Sequence, residues 1–310
     1  MNKPYYSVVV PVFNSEASLR ELRDRLLPVM DSTGRPYEII FVDDGSADGS
    51  WKVLEQLKAE HPGSITGIKL AKNFGQHSAT FCGFQFAQGE YILTLDDDLQ
   101  HPPEEIPKLI CRMEETDAEL VYGIYGKIRH PFFRKLGSRF FKRFSSIIGR
   151  PEQGSSFRLI SANITKKITD NHQNFVFIDE ILHWYTDYIA LIQVEHHPRK
   201  YKSSTYSTRK IWSLLMNITI YYTNLPLKLM VYGGLISSAF FFILSVYFVA
   251  KKIFLNVPLG YTSLIVAILF STSLILLSLG VIGEYLSRIY LVQNRKPPFS
   301  IKTILRHEVL

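Results

Sequence analysis

The sequence has 310 residues and a formal net charge of +7, and 46% of its residues are hydrophobic. Two cysteines are too few for a disulfide framework or a cysteine-based metal site. Two uncharged segments, residues 229–250 and 261–283, each exceed the ~20 residues that cross a hydrocarbon core, so we predict two membrane spans. Roughly 200 residues come before them, enough for one α/β domain with its own core. Because the first residues run directly into a predicted strand, we expect no cleavable signal peptide.

The first part of the chain alternates between predicted strands and predicted helices. The strands cover residues 7–12, 37–42, 65–70 and 91–95, and the helices that follow them cover about 18–31, 49–60, 76–87 and 103–115. This alternation predicts a doubly wound, mostly parallel sheet. In such sheets, ligands bind beyond the carboxyl ends of the strands.

A polar motif follows each of these strands. The motifs are Pro11-Val-Phe-Asn14, Asp43-Asp-Gly-Ser46, Asn73-Phe-Gly-Gln76 and Asp96-Asp-Asp98. Their shared position predicts a nucleotide-type ligand at the carboxyl edge of the sheet, and the carboxylates suit hydrogen bonds to ribose and base. No Gly-x-Gly-x-x-Gly motif follows the first strand, which argues against a dinucleotide oxidoreductase, and no Gly-Lys-Ser/Thr loop is present, which excludes a P-loop NTPase.

The acidic triplet is the predicted metal site. Asp96 and Asp98 lie on the same side of an extended backbone, because side chains alternate with a period of two. Two neighbouring carboxylates repel each other unless a cation lies between them, and hard oxygen ligands suit Mg²⁺ or Mn²⁺. Gln100 continues the alternation and could supply a third oxygen. The alternative is an acidic loop that caps a helix beginning at Pro102 and Pro103.

The positive charge is concentrated in two acid-free stretches. Residues 120–151 contain eight bases and no acid, and residues 196–283 also contain no acid. With two spans following, a membrane surface or a phosphate lying on it is a better partner than nucleic acid. Residues 130–148 and 210–222 are predicted to be amphipathic interfacial helices, the alternative being helices packed on the sheet with a solvated basic face.

These patterns divide the chain into four predicted regions. They are a cytoplasmic catalytic domain (1–208), a juxtamembrane amphipathic helix (209–228), a transmembrane region with two helices (229–290) and a cytoplasmic tail (291–310). Bases flank the spans on the side of both termini, which predicts a multi-pass protein of the inner (plasma) membrane with both termini in the cytoplasm.

Together, the four motifs and the two spans resemble inverting family 2 glycosyltransferases of the GT-A fold. The closer resemblance is to polyprenyl-phosphate glycosyltransferases, the group of dolichyl-phosphate mannose synthase and bactoprenol glucosyltransferase. The ending at residues 283–298 is also similar to that group. The resemblance covers nearly the whole chain and implies an α/β GT-A domain joined to interfacial helices and two C-terminal transmembrane helices.

The resemblance also implies roles for individual residues. Glu152 stands where relatives carry Asp. Residues 199–206 correspond to a loop of the family in which Lys202 and Thr205 replace a glycine and a lysine. Whether this loop closes over the donor is therefore open. The implied donor-binding residues are Pro11, Asn14, Glu16, Asp43, Asp44, Asn73, Gln76, Asp96 and Asp97; the metal ligands are Asp96, Asp98 and Gln100; the acceptor-phosphate residues are Arg129, Arg134, Lys135, Lys202 and Ser204; and the catalytic residues are Asp98, Glu152 and Arg134.

The expected activity is transfer of one sugar, with inversion, from a nucleotide-sugar to polyprenyl (undecaprenyl) phosphate. The resemblance favours a UDP-hexose such as UDP-glucose as donor, Mg²⁺ or Mn²⁺ as cofactor and a homo-oligomer such as a tetramer. A processive polysaccharide synthase is the nearest alternative, although its Gln-x-x-Arg-Trp motif is absent here. The other alternative is a non-catalytic membrane scaffold that retains the fold.

Overall fold

The computed structural model describes residues 3–125, 154–170, 177–198, 200, 260–293 and 297–305, with scattered positions between 232 and 254. The chain divides into two compact units. The first consists of Met1–Thr205 and Lys296–Leu310, and the second of Tyr206–Arg295. The two predicted interfacial helices, residues 130–148 and 210–222, lie outside the described residues, and so does most of the predicted first span, residues 229–250. These features remain predictions.

In the first unit, the described strands form one sheet in the order β7-β5-β6-β4-β1-β2-β3-β8. Neighbours β4, β1, β2 and β3 are parallel, which confirms the predicted alternation, and β5 is parallel to β7. Strands β6 and β8 run antiparallel to their neighbours, which the sequence analysis did not predict. The strands are β1 Tyr6–Val12, β2 Tyr37–Asp43, β3 Ile65–Leu70, β4 Tyr91–Thr94, β5 Leu120–Tyr125, β6 Arg158–Ser161, β7 Ile189–Val194 and β8 Ile301–Leu305.

Helices cover both faces of this sheet. Helices α1, α2 and α4 contribute their apolar sides to the hydrophobic core, together with Val8, Val10 and Val12 of β1. Val9 points to the opposite face, where α3 packs so closely that a Cβ at Gly83 would lie 2.2 Å from Val9 Cγ1. The helices of this unit are α1 Leu19–Ser32, α2 Ser50–Glu60, α3 Gln76–Phe86, α4 Ile106–Thr116, α5 Ala162–Thr169 and α6 Ile178–Tyr185.

A long apolar helix dominates the described part of the second unit. Helix α7, Tyr261–Gln293, is 33 residues long, and its window Phe270–Ser287 has a mean hydropathy of 1.4. None of that window is buried in protein, unlike the core helix of a soluble domain. Within the described residues, this is the one helix whose length and composition would let it cross a membrane. It overlaps the predicted second span.

After α7 the chain rejoins the sheet, although the sequence analysis predicted a separate tail. Strand β8 pairs with β3 in antiparallel register, and the Ala71 N–H donates to the Ser300 carbonyl at 2.8 Å. Phe299 is buried with its ring centroid 6.2 Å from that of Phe81 in α3. Both the first 200 residues and the last residues therefore belong to one folded unit.

Candidate active site

Four loops meet at the carboxyl edge of the parallel strands. Because β4, β1, β2 and β3 are parallel neighbours, the residues that follow Val12, Asp43, Leu70 and Thr94 lie along the same edge. All four polar motifs of the sequence are thus brought to one side of the domain. Hydrogen bonds between the loops define the shape of this site.

Asp44 joins the loop after β2 to the loop after β3. Its side chain is buried, and its two carboxylate oxygens accept the backbone N–H groups of Phe74 (2.7 Å) and Gly75 (2.8 Å). Burial raises the pKa of Asp44 to about 6; the two N–H bonds oppose this rise, and Asp43 adds to it. The carboxylate therefore fixes the backbone next to Asn73, and each oxygen keeps a lone pair for a ligand.

Asp43 is fully buried beneath this loop. Its Oδ1 accepts the Ser46 N–H at 2.9 Å. Its Oδ2 lies 3.9 Å from Lys69 Nζ and has no hydrogen-bond partner within the described part of the chain. The next turn requires glycine, because Gly45 has a φ of +70° and a Cβ there would lie 2.6 Å from the carbonyl carbon of Lys72.

Asn14 and Glu16 connect the loop after β1 to the loop after β2. Asn14 donates its backbone N–H to Ser46 Oγ, and its Oδ1 accepts the Ala47 N–H, both at 2.9 Å. Glu16 Oε2 accepts the Gly49 N–H at 2.9 Å, and a Cβ at Gly49 would lie 2.4 Å from the Glu16 carboxyl carbon. Both side chains are exposed, so they are fixed in place yet accessible at the edge of the site.

Three other predicted donor residues have different environments. Pro11 is buried inside β1, opposite Val42 of β2. Asn73 is exposed in the loop that Asp44 holds. Gln76 begins α3, and its side-chain amide donates to Asp96 Oδ1 across the site. The loop after β3 is thereby joined to the acidic triplet.

The three aspartates after β4 have different partners. Asp97 Oδ2 accepts the backbone N–H of Phe13 at 2.9 Å and the hydroxyl of Ser15, so Asp97 holds the loop after β1. Asp98 is buried, and its Oδ1 accepts the Gln100 N–H at 3.1 Å. Asp97, predicted to bind the donor, thus directly shapes the neighbouring loop.

Asp96 is partly exposed and faces the site. Its Oδ2 accepts the Ser156 hydroxyl at 2.6 Å, and its Oδ1 accepts the Gln76 amide. Burial raises the pKa of Asp96 to about 6; the Ser156 bond opposes the rise, and the charges of Asp98 and Asp97 add to it. Each oxygen has one neutral hydrogen-bond donor and keeps lone pairs that could bind a cation.

The donor set of this edge fits a hard divalent cation. Among the described residues, no group of three or more His, Cys, Asp or Glu side chains could hold a metal ion. Two carboxylates, Asp96 and Asp98, are nevertheless the ligand number that suits Mg²⁺ when substrate phosphates and water complete the shell. We therefore expect any metal at this site to bind together with a diphosphate.

An aromatic cluster beside Gln100 was not predicted. His101 is buried, bonds through Nε2 to the Tyr125 hydroxyl and stacks between the rings of Tyr125 and Phe157 at 5.3 and 5.2 Å. Burial lowers the pKa of His101 to about 3, so its ring is neutral at physiological pH. The Gln100 amide lies 3.1 Å from His196 Nε2. His101 lies three residues after Asp98 in sequence, which was the available signal.

An ion pair behind the site, with a buried arginine and a partly buried aspartate, was also missed. Arg158 is 2% exposed, and its Nη1 lies 2.5 Å from Asp179 Oδ1. An arginine at the start of β6, between Phe157 and Leu159, was the available signal. The remaining predicted residues lie outside the described residues, and their roles remain predictions: Arg129, Arg134, Lys135, Glu152, Lys202 and Ser204.

The fold and the site define a doubly wound α/β enzyme domain whose ligand site is lined by carboxylates at its strand ends. Residues 7–183 match the family profile of glycosyl transferase family 2, and the chain belongs to that family. The chain is therefore a glycosyltransferase by family, and its sheet has the GT-A arrangement that the resemblance implied.

Two curated relatives span nearly the whole chain. A protein of Shewanella sediminis (strain HAW-EB3) is 32% identical over 318 residues, covering 98% of this chain and 93% of the relative. A protein of Pseudomonas paraeruginosa (strain DSM 24068 / PA7) is 33% identical over 317 residues, covering 98% of this chain and 92% of the relative. Both are named undecaprenyl-phosphate 4-deoxy-4-formamido-L-arabinose transferase.

One solved structure supports the fold alone. It is glucosyl-3-phosphoglycerate synthase from Mycobacterium tuberculosis in complex with uridine diphosphate, with a TM-score of 0.51 and 18% identity. The similarity covers 70% of this chain and 78% of the synthase.

Proposed function

We propose that this glycosyltransferase transfers one sugar, with inversion, from a nucleotide-sugar to polyprenyl phosphate at the cytoplasmic face of the membrane. The observation that carries the proposal is the match, over almost the full chain, to relatives named for undecaprenyl phosphate. The carboxylates at the strand ends provide the donor half of the reaction. Undecaprenyl phosphate is the acceptor that the relatives' names favour.

The loops at the carboxyl edge of the parallel strands would bind the donor. Asp44 and Glu16 would bind the nucleoside, since carboxylates accept hydrogen bonds from base N–H and ribose hydroxyl groups. Asp43 is fully buried and would support this site by holding the Ser46 N–H of the same loop. Asp96 and Asp98 would hold Mg²⁺ or Mn²⁺, and the cation would neutralise the charge that develops on the leaving diphosphate. The hydrogen bonds from Ser156 and Gln76 keep Asp96 in a fixed orientation without removing its charge.

Basic residues, chiefly Arg129 and Arg134, would bind the acceptor phosphate. A phosphate monoester has a second pKa near ~6 and is largely a dianion at neutral pH, so it attacks with little need for deprotonation. Arginine suits this acceptor because its planar fork binds phosphate bidentately. Glu152 would complete any remaining proton removal. Lys135, Lys202 and Ser204 would add contacts to the same phosphate.

The connectivity of the chain supports a membrane hairpin. Residues before 206 and after 295 belong to one folded unit, which supports a segment between them that begins and ends on the same side of a membrane. If α7 crosses the bilayer, a second crossing must therefore occur between residues 206 and 260. The uncharged segment 229–250 is the natural candidate.

The sugar is the least constrained part of the proposal. The sequence resemblance favoured UDP-glucose, whereas the relatives' names point to 4-deoxy-4-formamido-L-arabinose. We take a UDP-linked sugar as the donor and expect the formamido-arabinose donor to be preferred over UDP-glucose.

A donor panel tests the proposal. Purified full-length protein is incubated with Mn²⁺, short-chain polyprenyl phosphate and each UDP-sugar, and UDP release is measured with and without the lipid. We expect release that depends on lipid for one donor of the panel, abolished by Asp98→Asn and unaffected by the control Asp24→Asn, whose side chain is 63% exposed on α1. No lipid-dependent release with any donor would contradict the proposal.

A further inference from the structure

A row of three side chains crosses the sheet behind the acidic triplet. Arg158 of β6 pairs in register with Thr94 of β4 on one side and with Tyr122 of β5 on the other. Directly opposed residues in neighbouring strands project to the same face, so the three side chains lie in one line. Arg158 Nε donates to Thr94 Oγ1 at 3.1 Å, and its guanidinium carbon lies 6.0 Å from the centre of the Tyr122 ring.

The guanidinium of Arg158 is held from the other side by α6. Nη1 donates to Asp179 Oδ1 at 2.5 Å, and the arginine side chain is 3% exposed against 21% for the aspartate. Asp179 also packs against the backbone at Gly154, where a Cβ would lie 3.1 Å from its carboxyl carbon. Asp179 therefore contacts the segment 154–158 at both of its ends.

The hydrogen bonds run from this pair to Asp96 in a fixed direction. An arginine can only donate, so Thr94 Oγ1 accepts from Arg158 and gives its single proton to the Ser156 carbonyl, 2.5 Å away. Ser156 in turn donates its hydroxyl to Asp96 Oδ2 at 2.6 Å. A chain of hydrogen bonds thus connects Asp179 of α6 to Asp96 through Arg158, Thr94 and Ser156.

We propose that Thr94 and the Arg158–Asp179 pair are positioning residues, which fix Ser156 so that it orients Asp96 for a divalent cation bound with the diphosphate of the donor. This inference rests on the proposed function, because it takes Asp96 as a metal ligand. It adds a second layer of residues to that site: Thr94 is close to Asp96 in sequence, whereas the ion pair comes from β6 and α6. Each of them would act through Ser156 and Asp96 and not on the substrate directly.

Stability alone does not require this arrangement. Burying an ion pair costs desolvation that its attraction barely repays, and apolar residues of similar volume often stabilise a fold as well or better. Residues behind a metal ligand, in contrast, typically change metal affinity by roughly 10- to 100-fold when their hydrogen bonds are removed. Metal affinity is therefore the measurement that separates positioning from simple packing.

Thr94→Val is the sharpest variant, because it keeps the shape of the side chain and removes its hydroxyl. Full-length protein is titrated with Mn²⁺ in the presence of saturating UDP, and bound Mn²⁺ is measured by electron paramagnetic resonance below the melting midpoint of every variant. Thr94→Ser restores the hydroxyl. Thr165→Val is the matched control, since Thr165 is also buried but bonds to the Ala162 carbonyl within α5.

We expect Thr94→Val to weaken Mn²⁺ binding roughly 10-fold or more, Thr94→Ser to recover most of it and Thr165→Val to leave it unchanged. UDP binding in EDTA should be the same for all four proteins. Asp179→Asn should weaken Mn²⁺ binding in the same direction if it folds. Unchanged Mn²⁺ affinity in Thr94→Val, beside a wild type that binds Mn²⁺, overturns this inference alone. A wild type that binds no Mn²⁺ with UDP overturns the proposed metal site and this inference with it.

Discussion

Three consecutive carboxylates after β4 have separate tasks because each faces a different neighbour. Asp96 faces the site, Asp97 bonds back to the loop after β1, and Asp98 bonds to the following backbone at Gln100. A side chain with two strong partners on another loop contributes to stability as well as to the site. The three residues should therefore respond differently to the same substitution.

We expect Asp97→Asn to lower the free energy of unfolding by about 1–3 kcal/mol, because Oδ2 loses its charge while it accepts bonds from Phe13 and Ser15. Asp98→Asn should keep nearly the wild-type melting midpoint and lose transfer, at a cost of several kcal/mol in the barrier. Thermal unfolding and initial rates, measured on the same preparations, check both. Equal melting midpoints for the two variants would show that Asp97 has no structural task.

Asp44 gives a prediction for pH. Its pKa is about 6 in the folded protein, against 3.8 for an unperturbed aspartate, so between these values the folded state holds a proton that the unfolded chain has lost. The contribution of Asp44 to stability is therefore greatest at low pH and falls as the pH rises towards about 6. The difference between the melting midpoints of the wild type and Asp44→Asn should decrease as the pH rises from 4.5 to 6.5 and then level off. A difference that is constant across this range contradicts the assignment.

At the scale of elements, β8 is the edge strand that completes the sheet beside β3. It covers the edge of β3, and β3 leads into the loop that Asp44 holds. An uncovered β3 would leave a row of backbone groups open to other chains. The residues after α7 are thus part of the catalytic domain.

Phe299→Ala tests this contribution. Phe299 is 8% exposed and packs near Phe81, so its truncation should lower the free energy of unfolding by roughly 3 kcal/mol. Ile304→Ala is the control, because Ile304 is 41% exposed on β8 itself and should cost about 1 kcal/mol or less. Equal effects of the two substitutions in chemical denaturation would indicate that β8 does not pack on the domain.

The sequence predicted β1 to β4 and their helices because each strand is a short apolar run bounded by turn residues. Strand β6 escaped prediction because it has four residues and begins with a charged one, Arg158, whose burial depends on Asp179. Strand β8 escaped because it follows the predicted membrane segments and pairs with a strand more than 200 residues earlier. Local patterns do not reveal such distant partners.

For the candidate site, too, the sequence predicted some features and not others. Position at the end of a strand predicted which carboxylates gather at one edge, since parallel strands end together. It did not predict that Asp44 and Asp97 would bond to neighbouring loops, or that His101 would stack with Tyr125. Those contacts depend on where loops from separate strands meet.

At the scale of the whole molecule, the catalytic unit contains both ends of the chain, which predicts an even number of membrane crossings between them. In a Cys111→Ser background, where the exposed native thiol is removed, we expect Val257→Cys to react in intact cells with a membrane-impermeant reagent. Lys302→Cys, on an exposed position of β8, should react only after permeabilisation. Labelling of residue 302 in intact cells, with 257 protected, would reverse the predicted topology.

The mass of the lipid product tests the central claim most directly. Full-length protein is incubated with Mn²⁺, the preferred UDP-sugar and short-chain polyprenyl phosphate, and the lipid fraction is analysed by mass spectrometry. The account predicts polyprenyl phosphate that carries one sugar residue, formed by the wild type and not by Asp98→Asn. A ladder of longer glycans would show a processive synthase, and unmodified lipid with every donor would show a scaffold; either result contradicts the account.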